Sequence, residues 1–340
     1  MLTQEHRPRR LKDVSGQVLA KSILSAVCKR PASAPRSLIF SGERGLGKTT
    51  CSRILVRALN CERHDGDCCN ECKSCKSIGF GGGQLYIELD SGVVGNVDTM
   101  REIRDTLAYA VSDGYRVVNL DETQLVSKAG QGTLLKVLEE APSGVFFVMC
   151  TTNPELLLPT IVSRSLVVPF ELLSYEEMCA HLRGVADKEG VQVSNEALGR
   201  AARRVSGHVR DGLQQLEMIR LVGEQEYLST FRLMDEQFAE MIQCFMSGNS
   251  ERAREIIIGV VSNPVLYVEQ DFGIYMRRLM DKVFLDKAGD TRLKEVVQYW
   301  LRMHRYLKSS NDWYLFLLSL GGVLKVEVKG GASVAGRFSR

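Results

Sequence analysis

No window of this 340-residue chain approaches the 18 or more uninterrupted apolar residues of a membrane-spanning helix, so no membrane-embedded role is expected. The start, Met1-Leu2-Thr3-Gln4-Glu5-His6-Arg7, lacks the apolar core of a secretion signal. Charge of one sign is also missing. The net balance is +3, so any contact with nucleic acid must rest on a local basic surface. Internal repeats and low-complexity tracts are absent, which excludes a repeat array. What remains is ordinary globular composition, 44% hydrophobic and 25% charged, with length for two or three domains. Ten cysteines without a signal segment, five of them between Cys61 and Cys75, point to metal in a reducing compartment rather than disulfides. A cytoplasmic location is expected.

The chain is organised around Gly42-Glu43-Arg44-Gly45-Leu46-Gly47-Lys48-Thr49, which fits the phosphate-loop pattern G-x-x-x-x-G-K-[ST] at every fixed position. The apolar Ser37-Leu38-Ile39-Phe40 before it reads as a buried strand. Ile54, Leu55, Ala58 and Leu59 after it give helical spacing over Thr50–Leu59. In that context the glycines let backbone N–H groups face phosphate oxygens, and the helix N-terminus adds about half a positive charge. Lys48 is expected on the β- and γ-phosphates and the Thr49 hydroxyl on Mg²⁺. Gly42, Gly45, Gly47, Lys48, Thr49 and Thr50 form the expected cradle for a nucleoside triphosphate.

Cys61, Cys69, Cys72 and Cys75 follow as C-x7-C-x2-C-x2-C, a spacing that lets four thiolates converge on one structural Zn²⁺ with no open position. Cys68 is a fifth candidate, but only Cys69 keeps the two-residue step to Cys72. Leu85–Asp90 reads as a strand and Val97–Ala110 as an amphipathic helix. Arg116-Val117-Val118-Asn119-Leu120-Asp121-Glu122 reads as a strand ending in paired carboxylates. Downstream of a phosphate loop, Asp121 is expected in the magnesium shell and Glu122 on the attacking water. Leu134–Glu140 reads as a helix, and Val145–Cys150 as a buried strand ending on Thr151-Thr152-Asn153-Pro154, placed to sense a γ-phosphate. Leu166–Phe170 is strand-like. The alternation predicts a mostly parallel sheet covered on both faces. From Ser174, which opens an approximate capping box with Glu177, the pattern turns helical: Ser194–Val205, Gly207–Leu221, and further helices across 235–325. The N-terminal 36 residues read as a basic, solvated leader packed on the core. The Gly-rich tail from Lys329 reads as disordered.

Taken in order, Arg7-Pro8, Gly16-Gln17, the phosphate loop, the cysteines, Asp121-Glu122, Leu134–Glu140, Thr151-Thr152, Ser163-Arg164-Ser165 and Val209-Arg210-Asp211 resemble the gamma/tau ATPase subunits of the bacterial DNA polymerase III clamp loader, within the AAA+ ATPases. The resemblance covers roughly residues 5–225. It implies an α/β AAA+ core with a parallel sheet over 1–172, a zinc-binding insertion at 61–80, a helical lid at 173–232 and an all-α collar at 233–328. It also implies that Thr152 is a sensor of nucleotide state, that Arg210 reaches it from the lid, and that Arg7 and Pro8 lie against the base. Arg164 would act in trans on the neighbouring subunit's nucleotide. Arg101 resembles a position facing the DNA backbone; a solvated helix arginine is the equal alternative. The implied function is to hydrolyse ATP between subunits, opening a ring-shaped sliding clamp and loading it on primer–template DNA. The implied assembly is a pentameric hetero-oligomer with several copies of this chain.

His6, Thr123-Gln124, Ser165 and polar Asn119, which interrupts the strand, depart from the family pattern without removing a charge that hydrolysis needs, and mark a divergent member of a kind expected of a bacteriophage. No counterpart of the long tau-type extension is expected, so polymerase tethering is not assigned. The alternatives are a subunit that binds nucleotide only as structural glue, or another AAA+ machine such as a helicase loader or a branch-migration motor. Retention of Lys48 and Glu122 speaks against the first.

Overall fold

The computed structural model describes residues 1–79, 81, 83–94, 114–247, 249–261, 272, 275–276 and 298. The expected helix Val97–Ala110 with Arg101, much of the expected collar and the Gly-rich tail lie outside the described residues. The chain forms two compact units, Met1–Gln192 with Ser206–Glu217, and Val193–Val205 with Met218–Arg340.

In the first unit, five strands among the described residues form one sheet: β1 (Ser37–Ser41), β2 (Tyr86–Asp90), β3 (Arg116–Asp121), β4 (Val145–Thr151) and β5 (Leu166–Pro169). Every pairing is parallel, in the order β2-β3-β4-β1-β5. The central β4 is buried along its whole length, as its unbroken apolar run requires of a strand covered on both faces. Alternate residues feed two cores. Leu38, Phe40, Phe146 and Val148 pack with helices α1 (Val18–Lys29) and α2 (Lys48–Leu59), whereas Ile39, Phe147 and Met149 pack with α3 (Lys128–Glu140). The parallel α/β sandwich expected from the alternation is what forms.

Some local outcomes differ from the sequence reading. Helix α3 starts six residues before Leu134, because the Ser127 hydroxyl accepts the Gly130 N–H at 3.1 Å and caps it. Asn119 does not interrupt β3. Its side chain is wholly buried and its Oδ1 accepts the Cys150 thiol at 3.3 Å. The basic leader packs on the core as expected, with Leu2, Leu11 and Val14 in the interior. The capping box is complete: Ser174 and Glu177 exchange side-chain and backbone hydrogen bonds at the start of α4 (Tyr175–Glu189).

The second unit is helical where described, with α5 (Asn195–Arg204), the end of α6 (Val209–Val222), α7 (Glu224–Ser247) and α8 (Ser250–Val261). Phe238, Met241, Ile257 and Phe272 form its interior, with the Phe238 and Phe272 rings edge-on at 5.0 Å. No helix among the described residues is long and apolar enough to cross a membrane.

Candidate nucleotide and metal sites

The phosphate loop leaves β1 and enters α2 through three glycines of positive φ. Gly42 shows why no side chain fits: at φ +152°, a Cβ would lie 2.3 Å from the Phe170 carbonyl oxygen. The Lys48 ammonium bends back along the loop and donates to the carbonyls of Gly42 (2.6 Å) and Glu43 (2.7 Å). Burial lowers its pKa, opposed by Cys150, Glu122 and Asp121. A lysine held this way among loop carbonyls is a cation set at the helix N-terminus, where anions bind.

Parallel register brings the other groups to the same edge. The C-terminal ends of β1, β3 and β4 deliver the loop, Asp121-Glu122 and Thr151-Thr152 side by side. Thr49 Oγ1 donates to Asp121 Oδ2 at 3.1 Å. Two hard oxygens at that spacing fit neighbouring corners of a magnesium octahedron, whose edges are about 2.9 Å for arms of 2.0–2.1 Å. Glu122 adopts φ +51°, in the left-handed region, and both of its oxygens are engaged. Arg44 Nε donates to Oε1 at 2.9 Å, and Gln124 donates to Oε2. Gln124 also donates to Thr152 Oγ1 (3.2 Å) and accepts from Thr151 Oγ1 (2.8 Å), linking the carboxylate to the tip of β4.

Two further arms reach the loop. Arg7 Nε donates to Thr50 Oγ1 at 2.9 Å, and half-buried Pro8 follows it. Burial lowers the Arg7 pKa, assisted by the nearby Arg53. Near the start of α6, Arg210 packs so closely that a Cβ on Gly45 would stand 3.1 Å from its own Cβ, and His208 Nε2 pairs with Glu43 Oε2 at 2.8 Å. Thus Arg7, Pro8, Gly42, Gly45, Gly47, Lys48, Thr49, Thr50, Asp121, Glu122, Thr152 and Arg210 converge.

Arg164 does not join them. It precedes β5, whose first residue Leu166 pairs with Leu38 near the start of β1, while the phosphate loop follows Ser41 at the other end. The two edges are on the order of 10 Å apart at roughly 3.3 Å per residue. Arg164 is exposed there, with Nε on Glu139 Oε1 at 2.9 Å and Nη1 donating to the Thr160 carbonyl at 3.3 Å.

The Sγ atoms of Cys61, Cys69, Cys72 and Cys75 lie within 4.8 Å of one another, Cys69 and Cys75 at 4.0 Å. A zinc tetrahedron with arms of 2.3 Å has edges of about 3.8 Å, so the donor set fits the ion. Backbone N–H groups already face the sulfurs: Glu71 and Cys72 donate to Cys69, Cys69 to Cys61, and Cys75 to Cys72. The donors from Cys72 and Glu71 pull the Cys69 thiol down to about 6. Cys68 stands apart, its thiol donating to the Arg9 carbonyl at 3.0 Å.

Sequence reasoning missed Arg44, Gln124 and the His208–Glu43 pair. Arg44 occupies an unconstrained position of the loop pattern, and the others meet their partners only through the fold.

Among known families, the one described as DNA polymerase III, delta subunit, matches residues 21–174. Among curated relatives, the DNA polymerase III subunit gamma/tau of Mycobacterium tuberculosis (strain ATCC 25618 / H37Rv) is 38% identical over 222 residues, covering 64% of this chain and 38% of the relative. That of Mycoplasma genitalium is 30% identical over 285 residues, covering 81% and 47%. The subunit tau of Bacillus subtilis (strain 168) is 35% identical over 214 residues, covering 62% and 38%. The chain therefore spans less than half the length of these relatives. Among solved structures, the Thermotoga maritima RuvB Holliday junction branch migration motor superposes with a TM-score of 0.54 at 15% identity, covering 93% of this chain and 91% of that one. That likeness supports the fold alone.

Proposed function

The chain belongs to the gamma/tau family of DNA polymerase III subunits, and from that premise we propose that it is an ATP-driven motor subunit of a sliding-clamp loader. One observation carries the reading. The groups that would cradle a triphosphate share the C-terminal edge of the sheet, while the exposed Arg164 stands at the opposite edge. A cation so placed serves a nucleotide on an adjoining subunit, not its own. A pentameric hetero-oligomer with several copies of this chain would supply such seams.

In this scheme Lys48 and the loop N–H groups hold the β- and γ-phosphates, and Arg7 and Pro8 lie against the base. Thr49 and Asp121 would hold Mg²⁺, which when bound neutralises phosphate charge. Glu122 orients and deprotonates the attacking water once released from Arg44 and Gln124. Thr152 and Arg210 report the state of the γ-phosphate to β4 and to α6. The neighbour's Arg164 stabilises charge in the transition state. ATP shifts the assembly toward a spiral that holds the clamp open, by its differential affinity for the two states. Primer–template DNA contacts should be phosphate-dominated, salt-sensitive and indifferent to sequence. A helicase loader or branch-migration motor gains nothing from the RuvB likeness, which at 15% identity concerns fold alone.

The test is hydrolysis by the assembled complex. Primed DNA plus clamp should stimulate it, and Glu122→Gln should lower the rate about 10²–10⁴-fold while ATP binding persists. An unstimulated rate in the wild-type assembly would contradict the loader assignment. A Glu122→Gln variant with normal turnover would contradict the role given to that carboxylate.

A further inference from the structure

The cysteine module sits beside the phosphate-loop helix, and three of its side chains, Asp67, Cys68 and Asn70, reach the N-terminal arm. Between Cys61 and Cys72, Asp67 accepts the backbone N–H of Leu11 on Oδ1 (2.9 Å) and that of Lys12 on Oδ2 (3.1 Å). The Arg9 carbonyl receives three donors: Arg57 Nη2 at 2.7 Å, Cys68 Sγ at 3.0 Å and Asn70 Nδ2 at 3.4 Å. Arg57, a buried residue of α2, also donates to Asn70 Oδ1 at 2.5 Å. Gly66 brings this loop against α1 at φ +97°, where a Cβ would stand 2.3 Å from Ser25 Oγ. Two residues before Arg9, the same arm places Arg7 on Thr50, beside Lys48 and Thr49.

Four polar contacts thus tie residues 9–12 to the loop between Cys61 and Cys72, and a fifth ties Arg9 to α2. The far end of the arm has separate anchors, Leu2 N on Glu217 Oε2 and His6 on Glu189. We propose that the cysteine module clamps the N-terminal arm across the nucleotide site, with Asp67 and Arg57 as positioning residues for Arg7. Nucleotide affinity then depends on the four-thiolate site holding its ion. This rests on the nucleotide-site reading above and adds a role for the module that hydrolysis itself does not need.

Asp67→Ala in the full chain should raise the dissociation constant for a ribose-labelled fluorescent ATP about tenfold, the scale of a lost charge-assisted contact. It should also speed amide hydrogen exchange across residues 9–12, with metal content unchanged. Asp67→Asn, which keeps the shape and one carbonyl acceptor, should fall between. Stripping the metal with a chelator should move both readouts the same way. Because Asp67 would act through Arg7, Arg7→Ala should add little in the Asp67→Ala background, whereas independent sites would add. Fully additive losses, or unchanged exchange at residues 9–12, would overturn the proposal. So would faster exchange with unchanged affinity. A wild-type chain that binds no nucleotide would overturn the nucleotide-site reading and this proposal together, a result distinct from binding that Asp67→Ala leaves unmoved.

Discussion

Replacing Arg164 by alanine should slow ATP hydrolysis in the assembled complex by about 10³–10⁵-fold, the worth of an arginine supplied in trans in phosphoryl-transfer enzymes. The same substitution should leave the isolated chain's affinity for ATP unchanged, because Arg164 lies on the sheet edge away from its own phosphate loop. Stability should hardly move. The ion pair with Glu139 joins two half-exposed side chains, and such pairs contribute less than about 1 kcal/mol. Single-turnover hydrolysis, equilibrium nucleotide binding and thermal unfolding measured on one preparation separate these effects. A variant that hydrolyses normally would remove the cation from the mechanism. One that loses nucleotide affinity as an isolated chain would place it in its own site instead.

Substituting Cys69 by alanine should remove one equivalent of zinc and markedly destabilise the first unit. Structural zinc sites in small domains have apparent binding free energies of about 10–16 kcal/mol near neutral pH, and much of that stabilises the fold. Here the module packs on α2, where the Cys75 thiol faces the Arg57 carbonyl at 3.9 Å, so the loss should spread to the phosphate-loop helix. Cys68→Ala supplies the contrast. Its thiol is spent on the Arg9 carbonyl, so the metal should stay bound. Metal content and unfolding temperature, measured for both variants, check this. Equal metal loss from both would mean that Cys68 belongs to the ligand set.

The sheet and the phosphate loop between its first strand and α2 were legible because their signals are local. A phosphate loop constrains consecutive residues, and β4 announces its double burial as an unbroken apolar run. The clustering of Cys61, Cys69, Cys72 and Cys75 was legible for the same reason, through spacing. The start of α3 was not. Gly130 and Gly132 each cost about 1 kcal/mol relative to alanine in a helix, which hides the first turns from a propensity reading. Those turns are stabilised instead by the Ser127 cap and by Gln131, whose amide bridges to Val126, Leu156 and Leu158. Asn119 misled similarly, since its partner Cys150 lies on the adjacent strand. The pairing of Glu122 with Arg44 and Gln124 joins residues across two loops, and only the register of β1, β4 and β3 brings them together. Arg164 was legible as a motif residue through family resemblance, but its position opposite the cradle follows from the β1–β5 register.

The most direct test mixes two disabled chains before assembly, one carrying Lys48→Ala and the other Arg164→Ala. Each alone should give a complex that hardly hydrolyses ATP. Together they should regain part of the wild-type rate, because some seams then pair an intact cradle with an intact arginine from the next subunit. A mixture as silent as either parent, although both chains are shown to co-assemble, would contradict hydrolysis at a shared seam.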